Sequence, residues 1–172
     1  LGDKAGVIVF QFPPQRVVEL GGAEPFAERL YAFLAELPRG LVYAVELRNV
    51  ELLTPTYGEA LASARACHCV NVHPNMPPPD AQADLFDAAA APALVVRWML
   101  GHGFAYEQAR QRYAPFDRLV DEDPTSRRQI ADLCRRSAAR GRPVYVTINN
   151  KAEGSAPRSV VALTRELLNG AR

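Results

Sequence analysis

Apolar and polar positions along the chain follow two alternating rhythms. From Gly6 the run Val7-Ile8-Val9-Phe10-Gln11-Phe12 is almost continuously apolar and is closed by Pro13-Pro14, the pattern of a strand covered on both faces. After Pro25, the residues Phe26, Leu30, Phe33, Leu34 and Leu37 recur at helical spacing, which predicts an amphipathic helix ending before Pro38-Arg39-Gly40. The pair repeats with Val42 to Glu46 as a strand. Thr54-Pro55 then supplies a cap and a first-turn proline for a helix carrying Tyr57, Leu61 and Ala64.

A weaker strand is predicted over Cys67 to Val72, followed by a proline-rich loop from His73 to Pro79. The alanine-rich stretch Ala81 to Ala91 fits either a short helix or irregular chain. Leu94 to Trp98 reads as the fourth strand, with a turn at Gly101-His102-Gly103 and a polar segment through Tyr113. Asp123-Pro124 caps a helix whose inner face is Ile130, Leu133, Cys134 and Ala138, and Gly141 with Pro143 ends it. Val144 to Ile148 is the fifth strand. The last helix starts near Ser155-Ala156-Pro157 and carries Val160, Thr164, Leu167 and Leu168 before Gly170.

Strands alternating with helices in this way imply right-handed crossovers and a parallel sheet, either doubly wound or closed into a barrel. No Gly-x-Gly-x-x-Gly follows the first strand, which weakens the dinucleotide-binding option. The length of 172 residues predicts one domain, residues 1–172, able to bury a core. With 20 basic and 19 acidic residues, the net charge of +1 gives no global field toward nucleic acid or anionic lipid, so an anion site must be local. No apolar run approaches the roughly 18 residues of a membrane span, and the start lacks the layout of a secretion signal. Three cysteines, Cys67, Cys69 and Cys134, fit a reducing compartment, so a cytoplasmic protein without membrane contact is expected. The chain opens on Leu1, and its methionines are Met76 and Met99 alone, so a fragment, a processed chain or a trimmed one is expected.

In both architectures ligands sit beyond the carboxyl ends of the strands. Those ends offer Gln11, then Glu46 and Arg48, then Asn71 and His73, then Arg97, and last Asn149, Asn150 and Lys151. Alternation puts Glu46 and Arg48 on one side with Val42 and Ala44, the small residues suited to a crowded barrel axis. Arg97 lies in an apolar strand and needs a carboxylate such as Glu46, or a bound anion. Two readings stay open for it: a structural ion pair, or a planar fork for carboxylate or phosphate.

Tyr145, Thr147 and Asn149 share a face, and Asn149-Asn150 read as site-lining, with Gly154 and the last helix N-terminus near enough to offer backbone donors. Asparagines are also good turn residues, and Lys151 reads equally as solvated surface. His73 is a substrate-binding candidate. His73 and His102 are acid–base or ligand candidates, although lone loop histidines are more often neither.

Cys67-His68-Cys69 lacks the spacing of a structural zinc site, and no metal is expected. No Gly-x-Ser-x-Gly elbow occurs, and Ser155 reads as a helix cap. Arg135, Arg136, Arg140 and Arg142 lie at a helix C-terminus, where the dipole favours cations, and read as a solvated face rather than a nucleic-acid patch.

At these strand ends the chain resembles the YecE-like family, domain-of-unknown-function family 72. The matching pieces are Val7 through Pro14, Ala44-Val45-Glu46-Leu47-Arg48, Val96-Arg97, and Val144 through Pro157 with Asn149-Asn150-Lys151-Ala152-Glu153-Gly154. The resemblance implies a (β/α)8 TIM-type barrel with Gln11, Glu46, Arg48, Arg97, Asn149 and Asn150 at its C-terminal mouth, and it supplies no activity. This chain has Asn49-Val50-Glu51 where members usually carry a tryptophan, and Arg97-Trp98-Met99-Leu100-Gly101-His102-Gly103 where they carry Arg-x-His-Gly. The family's opening strands have no counterpart before Leu1, so the chain is expected to supply roughly the last five β/α units of a fold that takes about 250 residues.

Three functions follow as expectations. The first is an enzyme acting on a small anionic or sugar-like substrate, with Glu46 and Arg97 as catalytic candidates. Gln11, Arg48, His73, Asn149, Asn150 and Lys151 would bind that substrate. The second is a barrel that binds a ligand or protein without catalysis. The third, nucleic-acid processing, rests on fold analogy and is opposed by the neutral charge. Nothing in the sequence names a cofactor or an oligomeric state.

Overall fold

The computed structural model describes residues 4–86, 91–101 and 105–170. Five parallel strands, β1 (Val7–Gln11), β2 (Val42–Glu46), β3 (Cys67–Val72), β4 (Leu94–Trp98) and β5 (Val144–Ile148), form one sheet in chain order. Six helices accompany them among the described residues: α1 (Ala23–Ala35), α2 (Pro55–Ala64), α3 (Pro79–Asp84), α4 (Tyr106–Tyr113), α5 (Pro124–Ala138) and α6 (Ala156–Asn169).

The sheet is curled into a half-barrel. If it were flat, β1 and β5 would stand four strand spacings, roughly 19 Å, apart. Instead the Tyr145 ring on β5 lies 3.2 Å from the position a Cβ would take on Gly6, just ahead of β1. The two outer strands therefore face each other across a filled interior.

Alternation along each strand then separates two environments. Val7, Val9, Val42, Ala44, Cys67, Cys69, Val95 and Tyr145 pack together on the concave side. On the convex side Phe10, Tyr43 and Val45 meet Phe26, Leu30 and Leu34 of α1 and Tyr57 and Leu61 of α2. Val70, Val72, Val96 and Trp98 meet Ile130, Leu133 and Cys134 of α5 and Leu163 of α6. Burial on both faces is what the continuous apolar runs encode. Among the described residues the sheet edges stay open: β1 and β5 each have one strand neighbour, and Ile8 and Thr147 are exposed.

Two of the caps read from the sequence form as expected, with Thr54 Oγ1 accepting from the Tyr57 amide and Asp123 Oδ1 from the Ser126 amide, whereas Ser155 takes the N-cap position of α6 without a side-chain cap bond. Elsewhere the structure differs. Helix α1 starts two residues before Pro25, because Gly21 and Gly22, with φ of 74° and 106°, turn the chain and a first-turn proline has no N–H to satisfy. The polar segment before Tyr113 is helical from Tyr106, with Gln108 Oε1 accepting from the Ala105 amide. The alanine-rich stretch yields α3, and its residues 87–90 lie outside the described chain, as does the turn at His102.

Of the four arginines at the end of α5, two are tied into the fold rather than merely solvated. Arg135 donates to the Glu166 and Leu167 carbonyls of α6, and Arg142 to the Ala91 carbonyl. No helix among the described residues is long and apolar enough to cross a membrane.

Candidate functional site

Parallel registry sets Gln11 beside Glu46 and Asn71 beside Arg97 at the carboxyl ends of the strands. The curl then brings β1, β2 and β4 within side-chain reach. Glu46 is fully buried; its Oε1 accepts from Arg48 Nε at 2.6 Å and Nη2 at 2.5 Å, and its Oε2 accepts from Arg97 Nη1. Arg97 Nη1 also donates to Gln11 Oε1 at 3.1 Å. One carboxylate thus aligns two guanidiniums, and the group carries one net positive charge. The side chains of Arg48 and Arg97 keep 10% and 20% exposure, so the charge reaches the mouth while its counter-ion does not. A guanidinium has five N–H donors, and these contacts engage two nitrogens of Arg48 and one of Arg97.

Beneath the pair lies Cys69. Burial first, and then the Glu46 charge, push its thiol well above the usual range against the opposing arginines, so it stays protonated and is no nucleophile.

On the opposite face of β3, His68 is held between Tyr57 and Gln82. Gln82 Nε2 donates to the Asn71 and Pro77 carbonyls, which leaves Gln82 Oε1 as the acceptor for the Asn71 amide and for His68 Nε2. The imidazole therefore carries its proton on Nε2, and Nδ1 accepts from the Tyr57 hydroxyl at 2.9 Å. Burial lowers the His68 pKa to about 4, against the Gln82 bond that favours the charged form. With both ring nitrogens engaged and the flanking thiols on the other face, Cys67-His68-Cys69 does not assemble a ligand set. Among the described residues no three His, Cys, Asp or Glu side chains converge.

The remaining candidates fall elsewhere. His73 Nδ1 accepts from the Asn75 amide at 3.3 Å and shapes the turn after β3. Asn149 Oδ1 accepts from the Lys151 amide at 3.0 Å and from its Nζ at 3.3 Å. Lys151 is buried to 8% exposure, with Nζ 4.2 Å from the centre of the Tyr106 ring. Asn150 Oδ1 accepts from the Ala156 amide at the start of α6, and the Gly154 amide donates to the Asn150 carbonyl. The Gly154 and Ala156 amides, expected to greet an anion there, are thus engaged within the loop.

Glu153 locks that loop from below: its Oε1 accepts from the Asp123 amide and from Arg127, and its carbonyl accepts from the Val120 amide. Gly154, at φ 117°, lies so close to the Arg118 carbonyl that a Cβ would stand 2.6 Å from its oxygen. Gln11, Glu46, Arg48 and Arg97 are therefore brought together, while Asn149 and Lys151 form a second group on the loop after β5. Gln82 and Glu153 were not read as site residues from the sequence; Gln82 is a lone amide among small residues, and Glu153 stands in the Asn149 to Gly154 piece that carries the family resemblance.

A curled parallel sheet with a buried carboxylate and two arginines at its strand ends defines an α/β half-barrel protein with a cationic mouth. The chain belongs to the DUF72 family, described as proteins of unknown function, whose family model matches residues 1–171. It is similar to a DUF72 family protein from Enterococcus faecalis V583 in two crystal structures. The one at 3.10 Å resolution gives a TM-score of 0.57 at 17% identity over 96% of this chain and 60% of that chain. The one at 2.52 Å gives 0.53 at 18% identity over 96% and 61%. The chain thus spans about three fifths of the length of the structures it matches, and at this identity the likeness speaks to the fold. No curated protein matches it.

Proposed function

We propose that the mouth binds a small anionic or sugar-like substrate, held by Arg48 and Arg97, and that this chain supplies five units of an eight-stranded barrel. The observation that carries the reading is the buried Glu46 carboxylate with two partly exposed guanidiniums on it. A carboxylate in that position fixes both forks, and the net positive charge is satisfied by an anion from the mouth. Gln11 holds Arg97 from the side, and Asn149 with Lys151 orients the far end of the substrate. The opposed outer strands and the greater length of the matched structures support three further strands closing the gap between β1 and β5.

In the enzymatic version an anion drawing Arg97 away frees Glu46 Oε2, which then serves as acid or base. One observation favours binding without turnover: before that exchange both Glu46 oxygens are occupied and the residue is fully buried. Calorimetry with phosphate, sugar phosphates, carboxylates and short oligonucleotides tests the reading. Saturable small-anion binding lost in Arg97→Met upholds it, and turnover of a bound ligand decides for the enzyme. Oligonucleotide binding untouched by the substitution would move the function to nucleic acid.

A further inference from the structure

We propose that the mouth takes an anion that also carries a hydroxyl, such as a polyol phosphate or a hydroxy acid, and that Asn71 binds the hydroxyl. The inference rests on the reading of the mouth given above and adds the second group of the ligand. Along β3, Cys67 and Cys69 pack on the concave side and Val70 and Val72 on the convex side, so alternation turns the Asn71 side chain to the concave face. The β3–β4 register sets it beside Arg97. The β2–β3 register, Ala44 with Cys67 and Val45 with His68, sets it level with Arg48 when continued. An uncharged amide thus stands between the two arginines of the mouth.

That amide is held from three directions. Asn71 is fully buried, its backbone amide donates to Gln82 Oε1 at 3.1 Å, and its carbonyl accepts from Gln82 Nε2 at 2.6 Å. Its Nδ2 donates to the Leu47 carbonyl at 2.9 Å. Because a carbonyl can only accept, the nitrogen end faces β2 and the oxygen end is left over. Oδ1 is buried, and no donor among the described residues reaches it. The strands on both sides of it are described, and β4 continues away from it toward β5, where the Gly101 amide donates to the Lys151 carbonyl.

A buried acceptor without a donor is unfavourable, and a donor on the ligand relieves it. An ammonium is repelled by the net positive charge of the cluster, and an unprotonated carboxylate or phosphate oxygen would set lone pair against lone pair. A hydroxyl is neutral and donates. Its attached anion is held by the two guanidiniums, of which Arg97 is the more exposed. As Arg97 turns toward that anion, the hydroxyl-bearing carbon takes its place beside Asn71, which brings Oδ1 within reach.

The test is calorimetric titration of the chain at about pH 8, above the second phosphate ionisation at about pH 6, with two matched pairs of ligands. Glycerol phosphate is compared with propyl phosphate, and lactate with propionate; the pair that binds tells phosphate from carboxylate. Its hydroxylated member is expected to bind at least tenfold more tightly, and Asn71→Leu brings the pair level by weakening that member alone. Arg97→Met weakens both members. Equal affinity within a pair that binds saturably, or a preference that survives Asn71→Leu, would overturn the role of Asn71 and leave the anion site standing. Absence of saturable binding for all four would overturn both. If Asn71→Leu does not fold, NMR of the Asn71 side-chain amide in the unaltered chain decides: its signals are expected to shift further with the hydroxylated ligand than with its match, and equal shifts contradict the proposal.

Discussion

The concave face is two surfaces built on one set of strands. Toward the amino ends it is apolar, with Ala44, Cys67, Cys69 and Val95 closely packed. Two residues further along, β2 changes from Ala44 to Glu46, β4 from Val95 to Arg97, and β1 from Val9 to Gln11. The lower end is ordinary core, stabilised by apolar burial. The upper end places a carboxylate and two guanidiniums where desolvation works against them, and their mutual contacts, with Gln11 on Arg97, offset it. Charge at the last inward position of short strands is what a mouth requires and a core does not.

The comparison breaks most sharply at Glu46. Removing one partner of a buried ionic group leaves the others uncompensated, so Glu46→Ala should lose about 3–5 kcal/mol in urea denaturation. A loss under about 1 kcal/mol would mean that the charged end is not held together by this carboxylate. The convex face provides the next test, through pH. The folded pKa of His68, about 4, lies below the unfolded value near 6.5, so the unfolded chain binds the extra proton first as pH falls. The associated stability, as much as about 3 kcal/mol, is complete above pH 6.5 and lost on going down toward pH 4. Unfolding measured across that range should show the slope, and His68→Gln should remove most of it.

Val95→Ala sharpens the contrast within the concave face. It should cost about 2 kcal/mol of stability through lost burial and leave anion affinity at the mouth unchanged, as a paired denaturation and titration would show. The smallest effect is expected at Asn150. Asn150→Ala removes the side-chain acceptor at the start of α6 and should cost about 1 kcal/mol by thermal unfolding, again without touching the Arg48–Arg97 pair.

The five strands were legible because strands buried on both faces read as continuous apolar runs, and Glu46 and Arg97 were legible because charges inside such runs stand out. Their pairing was one of the two readings left open for Arg97, and the curl of the sheet decides that they touch. Asn149 and Asn150 looked alike in sequence, since asparagine suits both turns and sites. Only the fold separates Asn149, bound to Lys151, from Asn150, which faces α6. Helix α4 was not legible because just Ala109 and Tyr113 of its residues are buried, too few to make a stripe. Gln82 gave no pattern at all, yet three of its contacts hold the end of β3.

The central claim is that two arginines on a shared buried carboxylate form an anion site. Titrating inorganic phosphate into the protein and into Arg97→Met, with heat of binding as the readout, tests it directly. The account predicts saturable binding that weakens at least tenfold in the variant while the fold is retained. Phosphate binding of equal strength in both proteins would show that the cluster is a structural ion pair and that the mouth is not the site.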